Sequence, residues 1–138
     1  MTTLATTARP TALLVDDSKM IRMLLGDIMH AFGFETFEAE DGRAALEVLE
    51  AEGFVDVVLL DWNMPRMDGY ELLRVLRGDA RYSALKIMMV TTESEMAQIA
   101  RALDAGADEY IMKPFNDEII HSKLELLGLS PGPVSGEA

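Results

Sequence analysis

Short apolar runs alternate along the chain with stretches of helical spacing. Ala12-Leu13-Leu14-Val15 is the first run, and an unbroken apolar segment of this length predicts a strand covered on both faces. After Asp16-Asp17-Ser18 the apolar residues fall at Ile21, Leu24, Leu25, Ile28 and Phe32, the stripe of an amphipathic helix that Gly33 closes. Phe34 to Ala39 reads as a strand, Asp41-Gly42 as a turn, and Ala45, Val48 and Leu49 as one face of a second helix. The unit then recurs. Val55–Leu60, Lys86–Val90 and Tyr110–Met112 are strands. Helices follow from about Gly69 to Leu76, around Met96, Ile99, Ala100 and Leu103, and around Ile119, Ile120, Leu124 and Leu127, with Gly128 as the last stop.

Five strands alternating with five helices predict an α/β fold with a doubly wound five-stranded parallel sheet, because right-handed crossovers place helices on both faces. The flavodoxin-like form of this fold has strand order 2-1-3-4-5, with its switch point between strands 1 and 3. Ligands bind such sheets outside the carboxyl ends of the strands, at that switch point.

A chain of 138 residues, 49% hydrophobic, is enough for one domain with its own core. Residues 11–128 carry the repeating pattern. Residues 1–10 read as an N-terminal tail, and residues 129–138, with Ser130-Pro131-Gly132-Pro133, as a flexible C-terminal tail. The formal net charge of −12 opposes the counterion-releasing attraction on which nucleic-acid binding depends. Cysteine is absent, which removes disulfides, thiolate catalysis and Cys-based zinc sites. Neither a signal peptide nor an apolar run of membrane-spanning length occurs, so a soluble cytoplasmic protein is expected.

Candidate chemistry sits where strands end. Asp16 and Asp17 follow the first strand and Asp61 the third, so this topology brings three carboxylates together at the switch point. Carboxylates held close raise one another's pKa unless a cation intervenes, and a hard ion such as Mg²⁺ favours carboxylate, water and phosphoryl oxygens. Thr91 ends the fourth strand and Lys113 the fifth. Hydroxyl, ammonium and metal together suit phosphoryl transfer, whose catalysis is positioning plus charge neutralisation, and a carboxylate can be the nucleophile.

Plainer roles exist for each residue. Asp16-Asp17 can cap the first helix, with Ser18 as an alternative cap; Thr91 can be an ordinary strand residue and Tyr110 a half-buried aromatic. The ten methionines read as gap-filling core, and His30 and His121 as surface helix residues. DWNMPRMDG, from Asp61 to Gly69, begins like a calcium loop, but Pro65-Arg66 occupy positions that need an oxygen ligand and a turn glycine.

From Ala12 to Gly128 the chain resembles the receiver domains of two-component response regulators, most closely the single-domain chemotaxis regulators of the CheY type. The resemblance rests on Val15-Asp16-Asp17, Asp61 to Gly69, Val90-Thr91-Thr92 and Lys113-Pro114-Phe115, four motifs in order at strand ends. It implies that Asp61 accepts a phosphoryl group from a histidine kinase. It further implies that Asp17, Asp61 and the backbone carbonyl of Asn63 coordinate Mg²⁺, with Asp16 acting through water. Lys113 would pair with the phosphoryl oxygens, Thr91 and Tyr110 would be the switch residues, and Asn63 and Glu93 would influence phosphoryl lifetime. Pro114 would follow a cis peptide bond.

Such a protein is not an enzyme beyond its own phosphoryl transfer and autodephosphorylation. It is expected as a stand-alone monomer in chemotaxis or motility signalling, with an output face around helix 4, strand 5 and helix 5 and a partner such as a flagellar motor switch component. The alternatives are a phosphorelay intermediate or phosphate sink, a flavodoxin-like flavin carrier, or a phosphatase with an aspartyl nucleophile. Asp16-Asp17 would repel a flavin phosphate, and the second acid such phosphatases carry two residues after the nucleophile is Asn63 here.

Overall fold

The computed structural model describes residues 9–92, 96–129 and 131–132. The elements run β1 (Thr11–Val15), α1 (Lys19–Ala31), β2 (Glu35–Ala39), α2 (Gly42–Glu52), β3 (Val57–Leu60), α3 (Gly69–Arg77), a 3-10 turn (Ala80–Tyr82), β4 (Lys86–Thr91), α4 (Met96–Asp104), β5 (Glu109–Met112) and α5 (Asp117–Leu126). All strand pairs are parallel and the sheet order is β2-β1-β3-β4-β5, the doubly wound order expected from the pattern.

Successive residues of a strand point to opposite faces, and this splits the core in two. Leu13, Val15, Val58, Leu60, Ile87 and Met89 pack under α2 and α3, against Leu49, Leu72, Leu73 and Leu76. Leu14, Leu59, Met88, Val90 and Ile111 pack on the other face against Leu25 and Met29 of α1 and Ile120 and Leu124 of α5. Both faces of the central strands are therefore closed to water. Each fully buried leucine contributes roughly 1.5–3 kcal/mol.

The helices start where short polar side chains satisfy free backbone N–H groups. Ser18, not Asp16 or Asp17, caps α1 by accepting from the Ile21 amide at 3.2 Å. Asp41, in extended backbone, caps α2 and Gly42 is its first residue, so Asp41-Gly42 is a helix start rather than the expected turn. Asp68 and Glu71 form a reciprocal capping box on α3.

Two helices differ from the expected stripes. Leu24 of α1 is 47% exposed, while Met29, absent from the stripe, is buried. On α4, Met96 is 80% and Leu103 46% exposed, and Ala102 is the buried residue. The α4 sequence offers two overlapping apolar faces. The short connection into β5 selects the smaller one, with the Ala107 amide bonded back to the Ala102 carbonyl at 3.0 Å. The methionines divide accordingly: Met29, Met88 and Met89 fill the core, whereas Met20, Met23, Met96 and Met112 are exposed. His121 is half-buried, its ring edge-on to Phe32 at 5.1 Å. Past α5, Leu129 packs on the second core and the Gly132 amide donates to the Phe32 carbonyl at 3.0 Å. Among the described residues, no helix is long and apolar enough to cross a membrane.

Arg77 joins the end of α3 to the α4–β5 turn. Its guanidinium donates to the carbonyls of Gly106 (2.9 Å) and Tyr82 (3.2 Å) and to Asp108 Oδ2 (2.7 Å). Asp108 Oδ2 also accepts from the Ile87 amide at 2.8 Å. Arg77→Ala removes three hydrogen bonds from a charged guanidinium, one of them to a carboxylate, at a largely buried position, and is expected to lower stability by roughly 2–3 kcal/mol. Urea denaturation with an unchanged m-value is the check.

Candidate functional site

The site is assembled by the sheet itself. The parallel ladder continues one residue beyond β1 and β3, with the Asp16 amide on the Ala39 carbonyl (3.1 Å) and the Asp61 amide on the Val15 carbonyl (2.9 Å). Both acids thus leave the carboxyl edge side by side. Asp17 follows, exposed to solvent. One carboxylate oxygen from each of Asp16, Asp17 and Asp61 lies within 4.8 Å of the others, so the three acids inferred from strand ends do converge.

Lys113 comes from the other side of the switch point. Its amide bonds to the Thr91 carbonyl at 2.9 Å, and its ammonium lies 2.8 Å from Asp16 Oδ2 and 3.5 Å from Asp61 Oδ1. The Lys113–Pro114 peptide is cis. Thr91 is fully buried at the end of β4 and its side chain hydrogen-bonds Asp61. Asp16 Oδ1 accepts from the Ser18 amide at 2.9 Å, so this acid braces the loop that the Ser18 cap begins.

Asp61 is 6% exposed, and its carboxyl is held above the ordinary carboxylate range. Burial is the largest cause and the charge of Asp16 the next; Lys113 and the Thr91 hydrogen bond pull the other way. One ammonium does not offset three clustered acids. The donor set is all hard carboxylate oxygen, one acid open to solvent and two at the sheet edge, and it fits a divalent cation such as Mg²⁺ that keeps several waters.

Asn63 is exposed, two residues beyond Asp61 in the β3–α3 loop. Tyr110 lies in β5 opposite Met89, half-buried against the α2–α3 side of the core. Glu93 lies outside the described residues. Beside Lys113 an apolar notch of about 300 Å³ opens between α1 and the β5–α5 loop, lined by Ile21, Leu24, Thr92, Pro114 and Phe115.

Two basic residues that sequence reasoning passed over also belong to the site's surroundings. Arg22 donates to the Asp16 carbonyl at 2.6 Å and to Glu38 at 2.8 Å, holding the backbone between the paired acids. A base one turn into the helix that follows an acidic loop is the signal that could have found it. Arg66 pairs with Asp41, 25 residues away in sequence, and no local signal marks that pair.

A doubly wound sheet with this acid, hydroxyl and ammonium arrangement at its switch point defines a class, and the chain belongs to the response regulator receiver domain family, whose model matches residues 12–125. Among its relatives, chemotaxis protein CheY1 of Helicobacter pylori is 40% identical over 116 residues, 83% of this chain and 94% of the relative. Chemotaxis protein CheY of Pseudomonas aeruginosa is 40% identical over 114 residues, 82% and 91% of the two chains. The solved structure of chemotaxis protein CheY4 of Vibrio cholerae superposes with a TM-score of 0.81 at 33% identity, covering 87% of this chain and 99% of that one.

Proposed function

We propose that this chain is a phosphoryl-accepting response regulator of chemotaxis or motility signalling, with Asp61 as acceptor and a histidine kinase as donor. The observation that carries the reading is the placement of the Asp61 carboxylate beside both the Thr91 hydroxyl and the Lys113 ammonium, at the edge where Asp16 and Asp17 add their charge.

In this reading a carboxylate oxygen of Asp61 forms the new O–P bond as the P–N bond to the donor imidazole breaks, the electron pair staying on nitrogen. The raised carboxyl makes Asp61 the more basic, and so the better, nucleophile once ionised. Lys113 exchanges its contact with Asp61 for one with the phosphoryl oxygens. Thr91 donates its hydroxyl to the same group. Asp17, Asp61 and the Asn63 backbone carbonyl would hold Mg²⁺, with Asp16 through water; when bound, the ion neutralises acid and phosphoryl oxygens together.

The domain spans residues 11–128. Lys113 and Thr91 couple the modified acid to β4 and β5, and Tyr110 lies on β5, which packs against α4, the helix whose Met96 and Leu103 are exposed. New charge at Asp61 biases that element and so a protein-binding face, for which a flagellar motor switch component is a fitting partner. Asn63, two residues after the acceptor, and Glu93, two residues after Thr91, tune the lifetime of the phosphoryl bond. The chain acts as a monomeric cytoplasmic signal, catalysing only its own phosphoryl transfer and loss.

The test is intact mass after incubation with acetyl phosphate, with and without Mg²⁺. A labile phosphoryl adduct that forms with Mg²⁺ and does not form when the ion is chelated beforehand is expected. No adduct under any divalent ion would overturn the reading.

A further inference from the structure

The β3–α3 loop runs from Asp61 to Asp68, and its middle is tied to the start of α2 by three separate contacts. The Arg66 Nε and Nη2 atoms each lie 2.6 Å from Asp41 Oδ2. The Gly42 amide donates to the Met67 carbonyl at 3.1 Å. Met67 itself rests on the bare backbone of Gly42, where an added Cβ would meet the Met67 Cγ at 2.6 Å.

Arg66 adopts φ +66°, and among the described residues no other non-glycine residue has positive φ. That region disfavours any side chain with a Cβ; glycine or asparagine suits it better. Backbone strain of this kind persists where the surroundings hold it, and it gathers around functional sites. What holds it here is Asp41, 2% exposed, whose Oδ1 is occupied by the Ala44 amide at 2.8 Å and whose Oδ2 has Arg66. Glu40 stands 3.9 Å from the same guanidinium, and adds negative charge at the rim.

Asn63 lies three residues before Arg66 in this loop, on its exposed limb. The loop's ends are held by β3 and by the Gly69 amide on the Trp62 carbonyl at 2.8 Å. The Gly42–Met67 contacts tie the loop one residue beyond Arg66, so losing the Arg66–Asp41 pair loosens the limb on the Asn63 side without freeing the whole loop. We propose that the Arg66–Asp41 pair is a positioning latch for the phosphoryl site, fixing the β3–α3 loop on α2 so that the Asn63 backbone is presented to the cation shared with Asp17 and Asp61. The inference rests on the phosphoryl-accepting reading. Arg66 touches neither the acids nor the phosphoryl group, so it is a positioning residue.

The experiment uses the full chain and Trp62, the sole tryptophan, buried next to Asp61 and stacked on Tyr70 at 5.2 Å. Mg²⁺ is titrated against Trp62 fluorescence in the wild type, in Arg66→Gly, Arg66→Lys and Asp41→Asn, and in the double variant that combines Arg66→Gly with Asp41→Asn. The rate of acetyl phosphate uptake is measured on each. Arg66→Gly relieves the backbone while removing the guanidinium, and Asp41→Asn keeps an oxygen to cap α2. Their melting temperatures without Mg²⁺ identify any variant that is only unfolding.

Arg66→Gly and Asp41→Asn are each expected to weaken Mg²⁺ binding and slow uptake by about 10-fold, the scale of a lost supporting partner around metal ligands. The double variant should lose no more than either single one, and Arg66→Lys should recover part of the loss. A wild type that responds to Mg²⁺ and takes the phosphoryl group, with Arg66→Gly and Asp41→Asn matching it in both, would overturn the latch alone. A wild type that does neither would overturn the phosphoryl reading and the latch with it.

Discussion

Asp61→Asn is expected to reduce phosphoryl uptake to background while raising the melting temperature at neutral pH. The first effect follows from removal of the nucleophile. The second follows from the environment of Asp61, whose carboxyl is held above its ordinary value of 3.8 by burial and then by the charge of Asp16. The folded protein therefore binds this proton more tightly than the unfolded chain does. Between the ordinary and the raised value the folded state carries the extra proton, so stability falls as pH rises through that window and stays lower above it. Asparagine carries no charge and escapes the penalty. The melting temperature of Asp61→Asn should exceed that of the wild type at neutral pH, with the gap closing as pH drops below the ordinary carboxylate value. Thermal melts of both proteins across that range, beside intact mass after acetyl phosphate, read the two effects. A variant less stable than the wild type at neutral pH would show that Lys113 and Thr91 outweigh burial and Asp16. A variant that still gains the adduct would move the acceptor elsewhere.

Gly69→Ala should be among the most damaging single substitutions in the chain. A Cβ at this position would overlap the Asp61 carbonyl oxygen and approach the Asp61 carbonyl carbon at 2.9 Å and the Trp62 Cα at 3.0 Å. All three are backbone atoms, so no side chain can turn aside. The first turn of α3 is packed directly on the backbone of Asp61, and the Gly69 amide closes the loop on Trp62. Admitting one methyl group must either push α3 off the sheet or displace Asp61 from its place beside Lys113. The expected loss is roughly 3 kcal/mol or more, the upper end of overpacking, read by urea denaturation. Phosphoryl uptake should fall even where the variant remains folded. Near-normal stability would mean that the α3 start is looser than its hydrogen bonds indicate.

The outward residues of α4 and α1 show how an apolar period can name a helix without naming its buried side. Met96, Ile99 and Leu103 have helical spacing and so mark α4 correctly, yet Ala102 faces the core. The spacing is satisfied by either face because α4 also carries small apolar residues on the other one. Met96 and Leu103 are therefore left on the outer surface of α4.

The chain's own pattern determined the elements, their parallel pairing and the gathering of acids at one edge. Contiguous apolar runs too short for helices and bounded by turn signals read as strands covered on both faces, and strand ends put Asp16, Asp17 and Asp61 on the same rim once the doubly wound order is set. Thr91 and Lys113 were legible for the same reason, Thr91 as the last residue of β4 and Lys113 as the residue that follows β5. Tertiary structure alone decided how these groups act on one another. Lys113 meets Asp16 across 97 positions of chain and Arg66 meets Asp41 across 25. The raised carboxyl of Asp61 arises from burial that no local motif encodes. Strand and helix periods are properties of neighbouring residues and survive in the sequence; ion pairs, desolvation and the choice of helix face depend on distances between segments, which exist only after the chain has folded.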